Sequence, residues 1–380
     1  TVQSHGHTGE PRFFNGYVSR FSQTGMHGDY YVYQATLRPW FWFLTRTADC
    51  RIFQEKTVPD IVKEVFRDHG FSDFEEVLSN SYRQWTYCVQ YRETDFNFIS
   101  RLLEQEGIYY YFKHEVGKHT MVITDSISGH ETVPGYEEVP YYPPEESDRR
   151  ERDYISNWAL TQEIQPGVYA LNDFDFKKPK ASLHVKSTIK RQHEQASFEV
   201  YDYPGEYIET GDGESYVRAR IEELQAQHEL VQGSGNVSGL STGCLFKLTN
   251  YGREDQNREY LLVSASYNLG PQEYESQNPA DAYLTCSFKA MDSQQPYRAA
   301  RITPKPLVQG PQTAVVVGKS GEEIWTDKYG RVKVQFHWDR YGKSDENSSC
   351  WVRVAQIWAG KNWGGMYIPR MGQEVIVEFL

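Results

Sequence analysis

Apolar and polar positions alternate through Tyr31, Tyr33, Ala35 and Leu37, the two-residue period of a half-buried strand. With the apolar residues of 13–21 and a Gly/His turn between, this predicts two strands, 13–21 and 29–43. The second ends in an aromatic cluster at 40–44. The period then lengthens. Ile61, Val65 and Phe66 share one face of a helix predicted over 57–69, which Thr57 can cap, Pro59 suits in its first turn and Gly70 ends. A strand is predicted at 83–91. Residues 94–107 read as a capped amphipathic helix with Phe98, Leu102 and Leu103 inward and Gly107 as its stop. A hairpin follows, 108–115 and 120–125, turning at Gly117.

Pro134, Pro140, Pro143 and Pro144, then the charged run 145–153, predict a surface linker over 134–153. Strands resume from Tyr154. Val217, Ile221, Leu224, His228 and Val231 lie at heptad spacing and predict a helix over 214–231 with one narrow packing seam. A flexible Gly/Ser stretch is expected at 233–243, then strands at 244–248, 259–267 and 282–289. Four prolines across 296–312 mark a domain boundary, and short strands with Gly turns continue from Gln312. Residues 14–37 and 261–288 form a weak repeat. Each is strand, polar loop, strand, as two copies of a similar small barrel would produce.

Composition sharpens the class. The chain has 380 residues, enough for two or three domains. Only 39% are hydrophobic, yet 15% are aromatic and 28 are Tyr, a residue at home in strands and interfaces. The fold class is therefore mainly β with inserted α+β pieces. Residues 311–380 carry nine Lys and Arg against eight Asp and Glu, so the acidic excess behind the formal charge of −12 lies before them. The basic stripe that nucleic acid requires is missing, and an acidic surface does not suit an anionic membrane face. Cys50, Cys88, Cys244, Cys286 and Cys350 are odd in number and widely spaced, with no Cys-x-x-Cys. They are expected to be reduced thiols of a protein folded in the cytosol. No apolar run approaches bilayer-spanning length, and residues 1–12 do not read as a signal peptide.

Candidate chemistry fails on context. Gly239-Leu-Ser-Thr-Gly243 matches a nucleophile elbow, but a Gly/Ser loop precedes Ser241 and a strand follows it, where the elbow needs strand then helix. His114-Glu115 followed by His119 resembles a zinc-binding helix. Its histidines are five apart rather than four, which rotates them by roughly 140° on a helix of 3.6 residues per turn. Gly117 makes that segment a turn. Gly318-Lys-Ser320 ends like a phosphate-binding loop, but Thr313 stands where its first glycine belongs. His5-Gly-His7 reads as a polar tail. We therefore expect no catalytic, cofactor or metal site. The competing readings are a cell-wall hydrolase and a nucleic-acid-binding barrel. The second draws on Tyr329, Phe336, Trp338, Tyr341, Trp351, Trp358 and Trp363, because small barrels can stack bases on aromatics. With so little positive charge, protein contacts suit those aromatics better.

Two stretches carry a family resemblance. One is Cys50-Arg-Ile-Phe-Gln54 with Val89-Gln-Tyr-Arg-Glu-Thr-Asp95 and Phe98-Ile-Ser-Arg-Leu-Leu-Glu-Gln-Glu-Gly-Ile-Tyr-Tyr-Tyr-Phe112. The other is Asp327-Lys-Tyr-Gly-Arg-Val-Lys-Val-Gln-Phe336 with Cys350-Trp-Val-Arg-Val354, Trp363-Gly-Gly365 and Pro369-Arg-Met-Gly-Gln-Glu-Val375. Together they resemble VgrG, the spike family of bacterial type VI secretion. The resemblance implies a phage-tail-hub-like region over 1–300, with two like barrels at about 1–50 and 240–295. An OB-type barrel over 301–380 follows, incomplete at its C-terminal end. It also implies a homotrimer on an Hcp tube ring, with a needle carrying a tip protein or effectors, no nucleic acid and no stable membrane insertion. Synthesis in the cytoplasm and export by the secretion machine without a signal peptide follow. Measured against the family, the chain is expected to be a fragment without the earliest hub strands and without the needle.

Overall fold

The computed structural model describes residues 1–5, 11–144, 152–270, 283–361 and 363–379. They form two compact units that interleave along the chain. The first comprises Thr1–Trp40, Phe71–Ser81 and Leu103–Arg301, and the second Phe41–Gly70, Tyr82–Leu102 and Ile302–Leu380.

The first unit is built on a seven-stranded sheet. Its path runs Glu131–Thr132, Cys244–Thr249, Glu259–Gly270, Tyr283–Asp292, Glu229–Gly235, Ile155–Gln162, with Glu138–Pro140 also paired to Cys244–Thr249. Pairing is antiparallel except for the two short strands on Cys244–Thr249. Alternate residues put Trp158, Phe246, Tyr260 and Phe288 into one core, with Trp158 edge-on to Tyr260 at 4.9 Å.

Two expectations are overturned here. Residues 134–144 are no surface linker, because Tyr136, Val139 and Pro140 are buried and Glu138–Pro140 is a strand. Residues 145–151 of that stretch lie outside the described residues. Nor is 233–243 a flexible loop. Gly233 and Gly235 continue a strand, and Val237, Ser238 and Leu240 are buried. These glycines serve close packing. A Cβ at 233 would run into the Phe288 ring, one at 235 into the Tyr154 carbonyl, and one at 239 into the Tyr136 ring. The Tyr136 hydroxyl donates to Asp153 Oδ2 at 2.6 Å, and Ser238 donates to the same oxygen through its backbone N–H (2.8 Å) and its hydroxyl (2.7 Å).

Two three-stranded sheets also belong to this unit. One carries the expected hairpin, Tyr109–Glu115 and Lys118–Thr124, beside Phe74–Val77, and Gly117 turns it with φ +71°. The other, Val185–Thr188, Val168–Leu171 and Glu199–Asp202, is covered by a helix at Thr210–Gln225 through Tyr216, Val217 and Ile221. That helix stops well short of 231, because Glu229–Gly235 is a strand and Val231 belongs to the large sheet's core. Arg298 ties the unit's last segment down, reaching the carbonyls of Gly107 (2.8 Å) and Asp125 (2.5 Å) and the Glu222 carboxylate (2.8 Å).

In the second unit the predicted cap is present. Thr57 Oγ1 accepts from the Asp60 N–H at the start of the helix Val58–Asp68. The aromatic cluster is not the end of a strand. After Pro39, which cannot donate to a ladder, Trp40–Arg46 winds into a 3-10 turn that buries Phe41 and Leu44. Phe41 lies 4.8 Å from Phe96 and 5.9 Å from Phe66. Strand Ala48–Phe53 pairs with Cys88–Thr94, and the buried Arg101 guanidinium grips Glu93 with both carboxylate oxygens engaged (2.7 and 2.9 Å). A three-stranded sheet, Lys333–Phe336, Gln312–Val317 and Glu374–Val377, encloses Ala314, Val316, Val334 and Phe336. The early segments join it directly: Gln312 Nε2 donates to the Tyr91 hydroxyl (2.6 Å), and Arg340 and Tyr341 both reach Asp49 Oδ2 (2.6 Å).

Among the described residues every sheet is open, and none closes into a barrel. The two halves of the weak repeat are both antiparallel hairpins. Strands flank Glu259–Gly270 and Tyr283–Asp292 on both sides, whereas Tyr17–His27 and Tyr30–Arg38 pair only with each other. The loop of the second half, 271–282, lies outside the described residues.

The packing role of the loop glycine makes a test. Gly239→Ala should destabilise the chain by about 1–3 kcal/mol, because the new methyl meets a buried ring. Gly211→Ala, in open space on the helix Thr210–Gln225, should leave stability unchanged or raise it by up to about 1 kcal/mol. Denaturant melts of both variants decide, and equal effects would remove the packing argument.

Candidate functional site

The motifs singled out in the sequence do not assemble a reactive centre. Ser241 lies in a loop directly before strand Cys244–Thr249, its N–H on the Cys244 sulfur at 3.3 Å. It lines a cavity of about 300 Å³ with Arg12, Tyr111, His114 and Glu131. His114 is the histidine of that cavity, but its Nδ1 accepts the Asn15 N–H at 3.1 Å, so the lone pair a base would need is in use. His114 and His119 are cross-strand partners with rings 6.0 Å apart. His119 Nε2 accepts the Trp40 N–H at 2.8 Å, and its Nδ1 faces Asn15 Oδ1 at 2.7 Å. Among the described residues no group of three His, Cys, Asp or Glu could hold a metal ion. Gly318 ends a strand where a Cβ would strike Trp325, a packing role. Residues 6 and 7 of the His5-Gly-His7 tail lie outside the described residues. All five cysteines are free, and burial pushes the Cys286 thiol up to about 11.

The C-terminal aromatics divide. Phe336 is buried and stacks on Trp338 at 5.1 Å, so the set offers no single stacking face for bases. Trp358 and Trp363 instead stand exposed on the hairpin Trp358–Gly360 and Trp363–Gly365, next to exposed Ile357, Met366 and Tyr367.

A larger exposed apolar surface lies in the first unit, on the ribbon formed by Tyr17–His27 and Tyr30–Arg38. Paired residues of a ladder point to the same face. The register Val18↔Leu37, Phe21↔Ala35, Gln23↔Tyr33 and Met26↔Tyr31 collects Val18, Phe21, Met26, Tyr31, Tyr33, Ala35 and Leu37 on one side. Arg20, Ser22, His27, Gln34, Thr36 and Arg38 fall on the other, together with Tyr17, Tyr30 and Val32. The spacing of Val18, Phe21 and Met26 is irregular because the register shifts twice, between Val18 and Arg20 and between Gln23 and Gly25. Each shift holds one extra residue whose hydroxyl bonds to a carbonyl of the facing strand: Ser19 to Thr36 O (3.0 Å) and Thr24 to Val32 O (3.3 Å). Without these bulges the apolar set would split between the two faces. Phe21 stacks on Tyr33 at 5.4 Å, yet they remain 65% and 56% exposed. At about 3.3 Å per residue the face, from Tyr31 to Leu37, is about 20 Å long. Alternation in 31–37 was legible in the sequence, whereas the partner strand's contribution was hidden by the bulges.

Comparison with known proteins gives this surface a context. Residues 1–273 match the phage tail baseplate hub (GPD) family, and residues 312–380 match the type VI secretion system/phage-baseplate injector OB domain. The chain is 57% identical to the type VI secretion system spike protein VgrG1b of Pseudomonas aeruginosa, over 98% of this chain and 50% of that protein. It is 35% identical to the actin cross-linking toxin VgrG1 of Vibrio cholerae, over 96% of this chain and 33% of that protein. The chain thus spans half or less of these relatives. Its fold resembles the E. coli c3393 protein, a type VI secretion component similar to T4 phage tail proteins gp27 and gp5. The TM-score is 0.65 at 20% identity, covering 97% of this chain and 80% of that one.

The exposure of the ribbon's apolar face is directly testable. Phe21→Ser combined with Tyr33→Ser should move the melting temperature of the monomeric chain by no more than about 2 °C, because surface changes cost little. It should also reduce binding of an apolar-surface dye at least about twofold. A loss of thermal stability beyond about 5 °C would mean the chain itself covers this face.

Proposed function

The chain belongs to the phage tail baseplate hub family as a VgrG spike protein of type VI secretion, and from that premise we propose that it is a force-bearing structural part, not an enzyme, working as a homotrimer. Three copies cap the Hcp tube ring at the hub end, and sheath contraction drives them through target membranes. Residues 1–300 form the hub-like region and 301–380 the OB-type barrel. A needle beyond it carries a tip protein or effectors. The protein is made in the cytoplasm and exported by the machine itself.

The observation that carries this reading is the uncovered apolar face of the ribbon. A two-stranded ribbon is marginal in water by itself. Long unpaired edges and a patch of this kind suit an element completed by assembly. The ribbon and the hairpin of Glu259–Gly270 with Tyr283–Asp292 would be the seeds of two like barrels per chain. Six such barrels in a trimer would present six similar surfaces to a sixfold tube. What supports a non-enzymatic role is the commitment of His114 and His119 to backbone and Asn15.

Sedimentation equilibrium at micromolar concentration should return three times the chain mass of 44.2 kDa. The interface should bury on the order of 2,000 Å² or more per pair, as obligate interfaces do. A monomer would refute the trimer. In the assembled trimer, unlike distances of the 14–37 and 261–288 hairpins from the threefold axis would refute the six-surface account alone.

A further inference from the structure

His114 and His119 have a consequence beyond excluding a metal site, because the groups they hold are the two ends of the ribbon. Asn15 lies just before strand Tyr17–His27, and Trp40 lies just after strand Tyr30–Arg38. Both are fastened to the same point of the neighbouring hairpin, where His114 and His119 face each other. The hydrogen-bond roles follow from the donors. A backbone N–H can only donate, so Trp40 N–H requires a bare Nε2 on His119 (2.8 Å), which leaves the proton on Nδ1. That Nδ1–H donates to Asn15 Oδ1 (2.7 Å), and Asn15 Nδ2 then donates to the Thr1 hydroxyl (2.8 Å). The Asn15 N–H likewise requires a bare Nδ1 on His114 (3.1 Å). The two bonds donated by the Trp40 and Asn15 N–H groups exist only while the imidazoles are neutral, whereas His119 Nδ1–H can donate to Asn15 in either state. A proton on His119 Nε2 or His114 Nδ1 would point at an N–H.

We propose that this histidine pair is a pH-sensitive clasp on the ribbon, closed when both rings are neutral and loosened by acid, which releases the Asn15 and Trp40 amides while the buried Trp40 ring stays on Phe71 (4.7 Å) with its Nε1–H on Asp73 O (3.2 Å). The clasp regulates the surface assigned above to assembly, and in that consequence it rests on the proposed function.

The surroundings favour the neutral rings. Burial is the largest influence on each and holds both below the ordinary histidine range, His114 at about 4. His119 and the Arg12 guanidinium oppose a proton on His114. Asp73 favours one on His119, but Lys118, 3.6 Å from Asp73, offsets it. On the same hairpin Lys113 sits between Glu75 (3.8 Å) and Glu131 (3.4 Å). The Tyr17 and Phe112 rings pack edge-on against His119. The direction follows from these shifts. Above about pH 6.5 the rings are neutral whether clasped or released, and the clasp has its full strength. Below that, a released ring takes a proton that a clasped ring refuses. The closed state therefore weakens by up to about tenfold per pH unit for each histidine. For His114 this loss ends near pH 4, where the clasped ring also protonates.

Hydrogen exchange of the whole chain at pH 7.5 and 5.0, corrected for intrinsic rates, tests this. Protection of the Asn15 and Trp40 amides and of the ribbon should fall at least about tenfold more than that of the helix Thr210–Gln225. His119→Gln and His114→Gln each supply a neutral acceptor and should flatten the profile. Because either variant could misfold, a proton NMR titration of the unaltered chain is the second measurement. In it both rings should titrate below the ordinary histidine range. Equal pH response in ribbon and helix, or both histidines titrating in the ordinary histidine range, would overturn the clasp. Molar mass at pH 7.5 separates the two proposals. A monomer with a pH-sensitive ribbon refutes assembly and keeps the clasp, whereas a trimer with a pH-flat ribbon does the reverse.

Discussion

The first unit rests on rings packed straight onto backbone. The Phe288 ring needs more space than facing strands normally leave, and the chain supplies it by having no side chain at 233, just as bare positions at 235 and 239 admit the Tyr154 carbonyl and the Tyr136 ring. That absence fixes how Glu229–Gly235 lies beside Tyr283–Asp292. It also allows Tyr136 to reach Asp153 and Ser238, which anchors the crossing at 134–144. The large sheet becomes a stiff body with few degrees of freedom, because interiors packed to this density do not deform continuously.

The ribbon is the opposite kind of element. Its strength does not come from a core. It comes from pairing between its own strands and from fastening at both ends, and its apolar side chains are turned outward. Two bulges keep those side chains on one face, and the hydroxyls of Ser19 and Thr24 occupy carbonyls that each bulge would otherwise leave open. The two elements differ in kind: the sheet is packed through its interior, and the ribbon leaves its apolar side chains exposed.

How much of this was legible depended on the range of the signal. The helices Val58–Asp68 and Asp95–Glu106 were, because cap, period and stop lie within one short window. The third helix was overextended because His228 and Val231 continue its seven-residue spacing by coincidence after the chain has left the helix. Prolines in 134–144 and glycines in 233–243 suggested loops. Their true role depends on partners far along the chain, Cys244–Thr249 for one and Phe288 and Tyr136 for the other. The aromatics at 40–44 fit a strand or a turn equally well until Pro39 is weighed against the ladder. The histidines drew attention for the wrong chemistry. Spacing alone could not reveal that Asn15 and Trp40 meet them.

The second unit draws on Phe41–Gly70 and Tyr82–Leu102 as well as Ile302–Leu380, and those segments share Asp49, Tyr91, Gln312, Arg340 and Tyr341 in one set of contacts. This limits modularity. A recombination event, or an engineer, cutting at the proline-rich 296–312 would seem to exchange a complete cassette. It would in fact leave Tyr91 and Asp49 facing a foreign surface. Chimeras between relatives should therefore inherit 41–70 and 82–102 from the same parent as 302–380. Covariation across a family should tie those three segments together more tightly than their distances in sequence suggest.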